Sequence, residues 1–277
     1  HQEPSENGIS QVLDDFWNSW ADVANNPADK SSREALRSTA IVLTERLHYT
    51  ANEMRSYKIA INDEIEVKAK QINDYASQIA DLNSKIVAAE GLQSQKANES
   101  RDQRDQLLKE LAKITAISYF EDGTGAVTVT ASGSMLVSPQ KAYQLEPIRT
   151  TIVEPDGYRF SYYTLRFAGS ESLFESQGGE LKALFKIRDE IIPGFMNELD
   201  SLVDGLVREV NATHEKGYDL NHLTGIQFFD SDKRTASTIA LSAAVLLDSN
   251  HIAAARGGNL NQPATVNISS DANNLID

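Results

Sequence analysis

Hydrophobic and polar positions change rhythm twice along the chain. Between Pro27 and Gly91 there is neither Gly nor Pro, and apolar residues recur at steps of four and three. The series runs Leu36, Ala40, Leu43, Leu47, Thr50, Met54, Tyr57 and Ile61. After one extra step of four it resumes as Ile65, Lys68, Ile72, Tyr75, Ile79, Leu82, Ile86 and Ala89. Only Thr50 and Lys68 break the apolar character. Glu64, Glu66, Lys70, Asn73, Asp74, Gln78, Asp81, Asn83 and Lys85 fill the other faces. Heptad spacing with one stutter predicts a single helix about 95 Å long at roughly 1.5 Å per residue. Its narrow seam needs a partner helix, since fully burying each large seam residue is worth ~1.5–3 kcal/mol.

A shorter helix is expected from Gly8 to Ala24, with Ile9, Val12, Leu13, Phe16, Trp17 and Trp20 on one face, ended by Asn25-Asn26-Pro27. Ser31 or Ser32 is the expected cap of the long helix, with Glu34 completing a capping box if Ser31 serves. After Gly91 a polar link leads to a third helix, Asn98 to Thr115, capped by Asn98 and turning Leu107, Leu108, Leu111 and Ile114 inward.

From Ala116 to Gly169 the period shortens to two. Val127 and Val129 alternate with Thr128 and Thr130, and Tyr158, Phe160 and Tyr162 with Arg159, Ser161 and Tyr163. Asp122-Gly123, Ser132-Gly133, Ser138-Pro139 and Pro155-Asp156-Gly157 punctuate these runs, which read as short antiparallel strands and hairpins. Gly178-Gly179 opens a second helical stretch to about Lys216. Its apolar face is Leu181, Leu184, Phe185, Ile191, Phe195, Leu199, Leu202, Leu206 and Val210. Pro193-Gly194 predicts a kink or two abutting helices, and Gly217 a C-terminal stop. The remainder reads as loop, a short strand near Thr238–Leu241 and a polar tail. The fold class is therefore α+β: a long antiparallel helical bundle or coiled-coil rod with a small antiparallel β region. The expected division is a rod over 1–116 and 178–216, a β region over 117–177 packed on it, and loop, strand and tail over 217–277.

Composition narrows the function classes. The 277 residues include no Cys, so disulfides, thiolate metal sites and a cysteine nucleophile are excluded. Twenty-six basic against 40 acidic residues give a net charge of −14, which argues against nucleic acid as a partner. No apolar run approaches the ~18 residues of a membrane span. The chain begins with His1 and reads as a fragment or processed form.

The search for chemistry yields little. His48 reads as a helix-surface histidine. His214 and His222 bracket His-Glu-Lys-Gly-Tyr-Asp-Leu-Asn-His, where Glu215 and Asp219 are further ligand types, but a turn in which Asp219 and Asn221 bond their own backbone accounts for it better. Asp219, Asn221 and Gly225 lack the spacing of a calcium loop. Asp14/Asp15, Asp63/Glu64 and Asp189/Glu190 sit on polar helix faces. Arg101 and Asp105, then Asp105 and Lys109, make i,i+4 pairs, whereas Arg104 has no acidic partner on its own helix and reads as solvent-facing; turned inward, it would need an acceptor from elsewhere. The aromatics Tyr158, Phe160, Tyr162 and Phe167 read as one face of a sheet packed on helices. No P-loop, nucleophile elbow or dinucleotide fingerprint occurs. No catalytic, cofactor-binding or metal-ligating residue is assigned, and no cofactor is expected.

Two segments carry a family likeness: Ile72-Asn73-Asp74-Tyr75-Ala76-Ser77-Gln78-Ile79-Ala80-Asp81-Leu82-Asn83 and Asp102-Gln103-Arg104-Asp105-Gln106-Leu107-Leu108-Lys109-Glu110-Leu111. With Phe16 to Pro27, Gly178-Gly179-Glu180-Leu181 through Arg188-Asp189, Val210-Asn211-Ala212-Thr213-His214, Gly217-Tyr218-Asp219-Leu220 and Phe228-Phe229, the chain resembles the flagellar hook-associated protein 1 family. The resemblance implies a non-enzymatic, extracellular component of the bacterial flagellum, exported through the flagellar secretion apparatus. Its implied partners are copies of itself, hook protein, the adjacent junction protein and an export chaperone, with no membrane insertion. It also implies that the family's terminal polymerisation helices lie outside this chain, that Ser100 and Arg101 replace apolar residues, and that little room remains after Phe229 for an outer β domain. Flagellin, another junction protein, a helical sensor ectodomain and an enzyme with its site in the β segment stay open as alternatives at this level.

Overall fold

A computed structural model describes residues 8–92, 96–154 and 156–256. The chain divides into two units, one of His1–Arg55 with Gly194–Asp277 and the other of Ser56–Pro193. The fold is α+β, with one very long helix and small antiparallel sheets. The polar tail and Pro155 lie outside the described residues.

In the first unit, α1 (Ile9–Asn25), the first part of α2 (Lys30–Leu92) and most of α5 (Ile192–His214) surround one core. Val12, Phe16 and Val23 meet Leu36, Ala40, Leu43 and Leu47 of α2 and Leu199, Val203 and Val207 of α5. Phe16 is fully buried, with its ring 5.9 Å from Phe228 and 6.0 Å from Phe229. The expected strand near Thr238–Leu241 is a single bridge, Phe229 to Leu241, followed by the short α6 (Ala243–Leu247).

In the second unit, the remainder of α2 packs with α3 (Asn98–Ile114), two sheets and α4 (Gly179–Lys186). One sheet is the meander β1 (Ile117–Glu121), β2 (Val127–Ala131), β3 (Ser134–Ser138), β4 (Lys141–Ala142), with a register shift between Val129 and Thr130. The other is the hairpin β5 (Leu145–Val153) with β6 (Arg159–Phe167), paired from Leu145–Phe167 to Val153–Arg159. Ile65, Ile72, Ile79, Leu108, Leu111, Val129, Leu136, Leu165 and Leu181 form the core.

The Gly- and Pro-free stretch is continuous helix, as its composition predicts, but the seam differs in register. Tyr57 is 50% exposed while Lys58 is buried, and the buried set continues through Asn62, Ile65, Ala69, Ile72, Ala76, Ile79, Asn83 and Ile86. The expected Thr50, Tyr57, Ile61, Lys68 and Tyr75 are one residue early. The inward stripe there consists of alanines and of polar side chains with specific partners. Lys58 Nζ reaches Glu154 at 2.8 Å and lies 4.4 Å from the Phe160 ring centre.

Termini differ in detail as well. Asp29, not Ser31 or Ser32, caps α2: its carboxylate accepts from Ser31 N–H (3.1 Å) and Ser32 N–H (3.0 Å), and with the Ser32 hydroxyl these hold its pKa below the usual carboxylate value. Asn98 opens α3 but does not cap it; Glu90 accepts the Ala97 N–H at 3.0 Å. Pro193 sits at the second position of α5, after a π turn over Ile187–Ile191. Pro lacks the N–H that would close the turn below, and the wider turn absorbs the defect. Gly179 has φ +72°, and a Cβ there would lie 2.6 Å from the Ile114 carbonyl. Gly217 is not a left-handed stop. It pairs with Arg256 in β7 (Gly217–Tyr218) and β8 (Ala255–Arg256), where a Cβ would meet that of Ala253 at 2.8 Å.

Candidate interaction surfaces

Four asparagines join helices to extended chain. A primary amide presents one acceptor and two donors, so it can pair with a strand's outward N–H and C=O as another strand would. Asn73 of α2 accepts Leu145 N–H and donates to Leu145 O, both at 2.7 Å. Asn83 does the same for Val127, at 2.9 and 2.7 Å. Asn62 accepts Tyr163 N–H at 2.7 Å. In the first unit, Asn211 of α5 accepts from Phe228 and Phe229 N–H and donates to Phe229 O, each at 2.9 Å. Asn73 and Asn83 belong to the polar faces outside the expected seam, yet Asn83 is fully buried.

Arg104 is likewise turned inward rather than to water. It donates to Gly125 O at 2.7 Å and Glu121 at 2.8 Å and is 3% exposed. Arg101 forks onto Glu90 at 2.7 and 2.9 Å and reaches Glu121 at 2.8 Å. The Arg101 bonds hold Glu90 down to about 2 and raise the guanidinium pKa. Alternating charges thus tie the end of α2, the start of α3 and β1 together, which gives Arg101 a role at a position where the resemblance implies an apolar residue. Arg188, 1% exposed, donates to Tyr163 O (2.7 Å), Asn62 Oδ1 (3.1 Å) and Asp189, and lies 5.2 Å from the Tyr162 ring centre.

His48 and His214 are tied to backbone groups. His48 Nε2 bonds Ile239 O at 2.8 Å. His214 is buried with both ring nitrogens engaged, Nδ1 with Ile226 O at 2.6 Å and Nε2 accepting from Ala253 N–H at 2.8 Å. Since Nε2 accepts, Nδ1 carries the proton and the ring is neutral. His222 lies exposed in the turn at φ +61°, and Asp219 accepts from Asn221 and Leu223 N–H, the backbone-bonding turn its sequence suggests. Among the described residues no group of three His, Cys, Asp or Glu is arranged to hold a metal ion, and no helix is long and apolar enough to cross a membrane.

Burial lowers the His214 pKa to about 4. An unfolded histidine titrates near ~6.5. Between these values the unfolded state binds the additional proton, so stability rises with pH, and it is lost as pH falls from about 6.5 toward 4. The full window amounts to about 3 kcal/mol. Urea midpoints at several pH values are expected to fall across it for the wild type and to vary less for His214→Gln. Equal pH slopes in the two proteins would refute this assignment.

Among the described residues, three exposed surfaces stand out. In the first unit a groove of about 740 Å³ runs between α1 and α5, with Leu13, Trp17, Trp20, Leu202, Leu206 and Ala254 in its lining. Trp17 and Leu202 are 49% and 48% exposed. The α1 face expected to be buried is therefore only partly so, because helical periodicity marks an apolar face without showing what covers it. In the second unit a mixed groove of about 630 Å³ has Lys58, Phe160, Tyr162, Phe185 and Arg188 among its walls. This is the aromatic face of β6, where Phe160 is buried and stacks on Tyr162 at 6.2 Å and 13°; Phe167, expected on the same face, has the opposite parity and is buried on the other side of the strand. The third surface is the exposed strand β5.

With this geometry in place, the relatives can be compared. The family model for the helical domain of flagellar hook-associated protein FlgK matches residues 2–229. Flagellar hook-associated protein 1 of Salmonella typhimurium is 30% identical, the alignment covering 86% of this chain and 45% of that protein. The Escherichia coli protein of the same name is 29% identical over 81% and 42%, and that of Bacillus subtilis 22% over 82% and 49%. The chain spans about half the length of these relatives. The solved flagellar hook junction protein FlgK from Burkholderia pseudomallei superposes with a TM-score of 0.66 at 26% identity, over 80% of this chain and 40% of that one.

Proposed function

Since this chain belongs to the flagellar hook-associated protein FlgK family, we propose that it is a structural component of the bacterial flagellum, joining hook to filament by assembly rather than catalysis. The observation that carries this reading is the FlgK helical-domain match over residues 2–229, supported by the structural likeness to the Burkholderia protein. The same match favours a junction protein over flagellin and over a sensor ectodomain. The partners in this reading are copies of the chain, hook protein and the adjacent junction protein, reached after export through the flagellar secretion apparatus. No side chain is assigned a catalytic, cofactor or metal role.

The polar side chains turned inward suit such a role. Asn62, Asn73, Asn83, Asn211, Arg104 and Arg188 fix helices to extended or looped chain by directional bonds, which hold a component in one geometry more firmly than apolar packing alone. Deleting the gene in its host is expected to leave hooks in place, abolish filaments and release flagellin monomers into the medium, with motility restored by the full-length gene. Normal filaments in the deletion strain would overturn the proposal.

A further inference from the structure

The β5–β6 hairpin is a two-stranded sheet, so each strand has an outer edge that could pair with another chain. The hydrogen bonds show which groups face outward. Tyr163 N–H bonds Asn62 and Tyr163 O accepts from Arg188, so Tyr163 turns its backbone away from β5. Its partner Arg149 therefore turns its backbone away from β6. Leu145, whose N–H and C=O both bond Asn73, has the same parity. The outward groups of β5 thus belong to Leu145, Pro147, Arg149, Thr151 and Val153.

Protection along these edges is uneven. On β6, Asn62 and Arg188 cover Tyr163, and Phe174 N–H covers Leu165 O at 2.7 Å. On β5, Asn73 covers Leu145 and Pro147 has no donor to offer. Beyond Pro147, Arg149, Thr151 and Val153 are exposed, and among the described residues no other element is hydrogen-bonded to their outward backbone. Val153 is 62% exposed and Ile152 40%.

The two faces beside this edge differ in chemistry. Ile148 and Ile152 share a face with Thr164, Tyr162 and Phe160, whereas Arg149 and Arg159 share the opposite face with Thr151, Ser161 and Tyr163. Both arginines are exposed, and neither has a carboxylate partner among the described residues, in a chain of net charge −14. An added strand would continue both faces.

We propose that the outer edge of β5 from Arg149 to Val153 is a docking edge for an extended acidic segment of a neighbouring protein subunit. The incoming strand has carboxylates on the Arg149/Arg159 face and apolar side chains continuing the Ile148/Ile152 face. Backbone bonds supply the attachment, and the two arginines select for acidic sequence. The proposal stands on the edge geometry and does not require the flagellar reading.

The probes are two nine-residue peptides with Val or Thr alternating with Glu in one and with Lys in the other, titrated into the 277-residue chain. The acidic peptide is expected to bind and the basic one not, with affinity falling as salt rises. Arg149→Glu should weaken binding about tenfold. Thr151→Pro removes an outward N–H without touching the β5–β6 ladder and should weaken binding similarly while circular dichroism stays unchanged. Amide exchange at Arg149, Thr151 and Val153 should slow when the acidic peptide is present. Equal binding of both peptides, unchanged exchange at these amides, or no binding at all would overturn the proposal, the last leaving Arg149 as edge protection only. Self-association that Thr151→Pro abolishes would also overturn it, by making a second copy the occupant.

Discussion

Asn211→Ala is expected to destabilise the first unit by about 3–5 kcal/mol. The asparagine satisfies three backbone groups, the N–H of Phe228 and Phe229 and the C=O of Phe229, and both phenylalanines are fully buried. Alanine leaves all three without a partner where water does not reach, and each buried unsatisfied group costs about 1–3 kcal/mol. The loss also loosens the placement of Phe228 and Phe229 against Phe16, the densest aromatic contact in the unit. Asn211→Asp separates the contributions: a carboxylate keeps the two accepted bonds but opposes the Phe229 carbonyl, so it should fall between wild type and alanine at neutral pH. The measurement is favourable because the chain's two tryptophans, Trp17 and Trp20, both lie in this unit. Urea unfolding followed by tryptophan fluorescence reads the first unit, while far-ultraviolet circular dichroism reads both. A midpoint for Asn211→Ala within error of wild type would contradict the clamp.

Asn211 also shows where sequence reading stops. The α2 helix is legible because its evidence is local: no Gly or Pro from Pro27 to Gly91, and apolar residues at steps of four and three. The hairpins are legible for the same reason, from Thr/Val/Tyr alternation between Gly-containing turns. The finer register of α2 is not, because Lys58, Asn62 and Asn83 occupy inward positions and a hydrophobicity pattern counts them as outward. Each is buried beside one particular distant residue, Glu154, Tyr163 and Val127 in turn, and that pairing is decided by tertiary contacts far along the chain. Arg104 illustrates this point. Its neighbours three and four residues away on α3 offer no carboxylate, so helical spacing alone suggests a solvent-facing side chain, whereas Gly125 and Glu121 of the first hairpin, with the adjacent Asp105, supply its acceptors. The interaction surfaces follow the same division. Trp17 and Leu13 are legible as an apolar face, but their place on an open groove depends on where α5 packs. The free edge of β5 depends on which strand residues Asn62 and Asn73 bond.

Arg33 yields the second large effect. Its side chain is fully buried, and its acceptors are backbone carbonyls: Nε and Nη2 donate to Pro27 O at 3.1 and 2.6 Å, and Nη1 donates to Ile252 O. Burial lowers its pKa to about 10, opposed by the charge of Asp219, whose side chain is also buried and bonded to His251 at 2.8 Å. Replacing a buried ion pair by apolar side chains is often nearly neutral, because desolvation offsets the attraction. That relief is not available here. The acceptors are main-chain groups that no substitution removes, so Arg33→Met strands two carbonyls and deprives Asp219 of its compensating charge. A loss of about 3–5 kcal/mol is expected, read by the same tryptophan signal. Arg33→Lys should recover only a minor part, since one ammonium cannot reproduce a planar fork that reaches Pro27 and Ile252 together. Adding Asp219→Asn to Arg33→Met tests the electrostatic share. If the buried carboxylate contributes to the penalty, the double variant will be less destabilised than the two single changes summed, whereas strict additivity would assign the whole effect to the orphaned carbonyls.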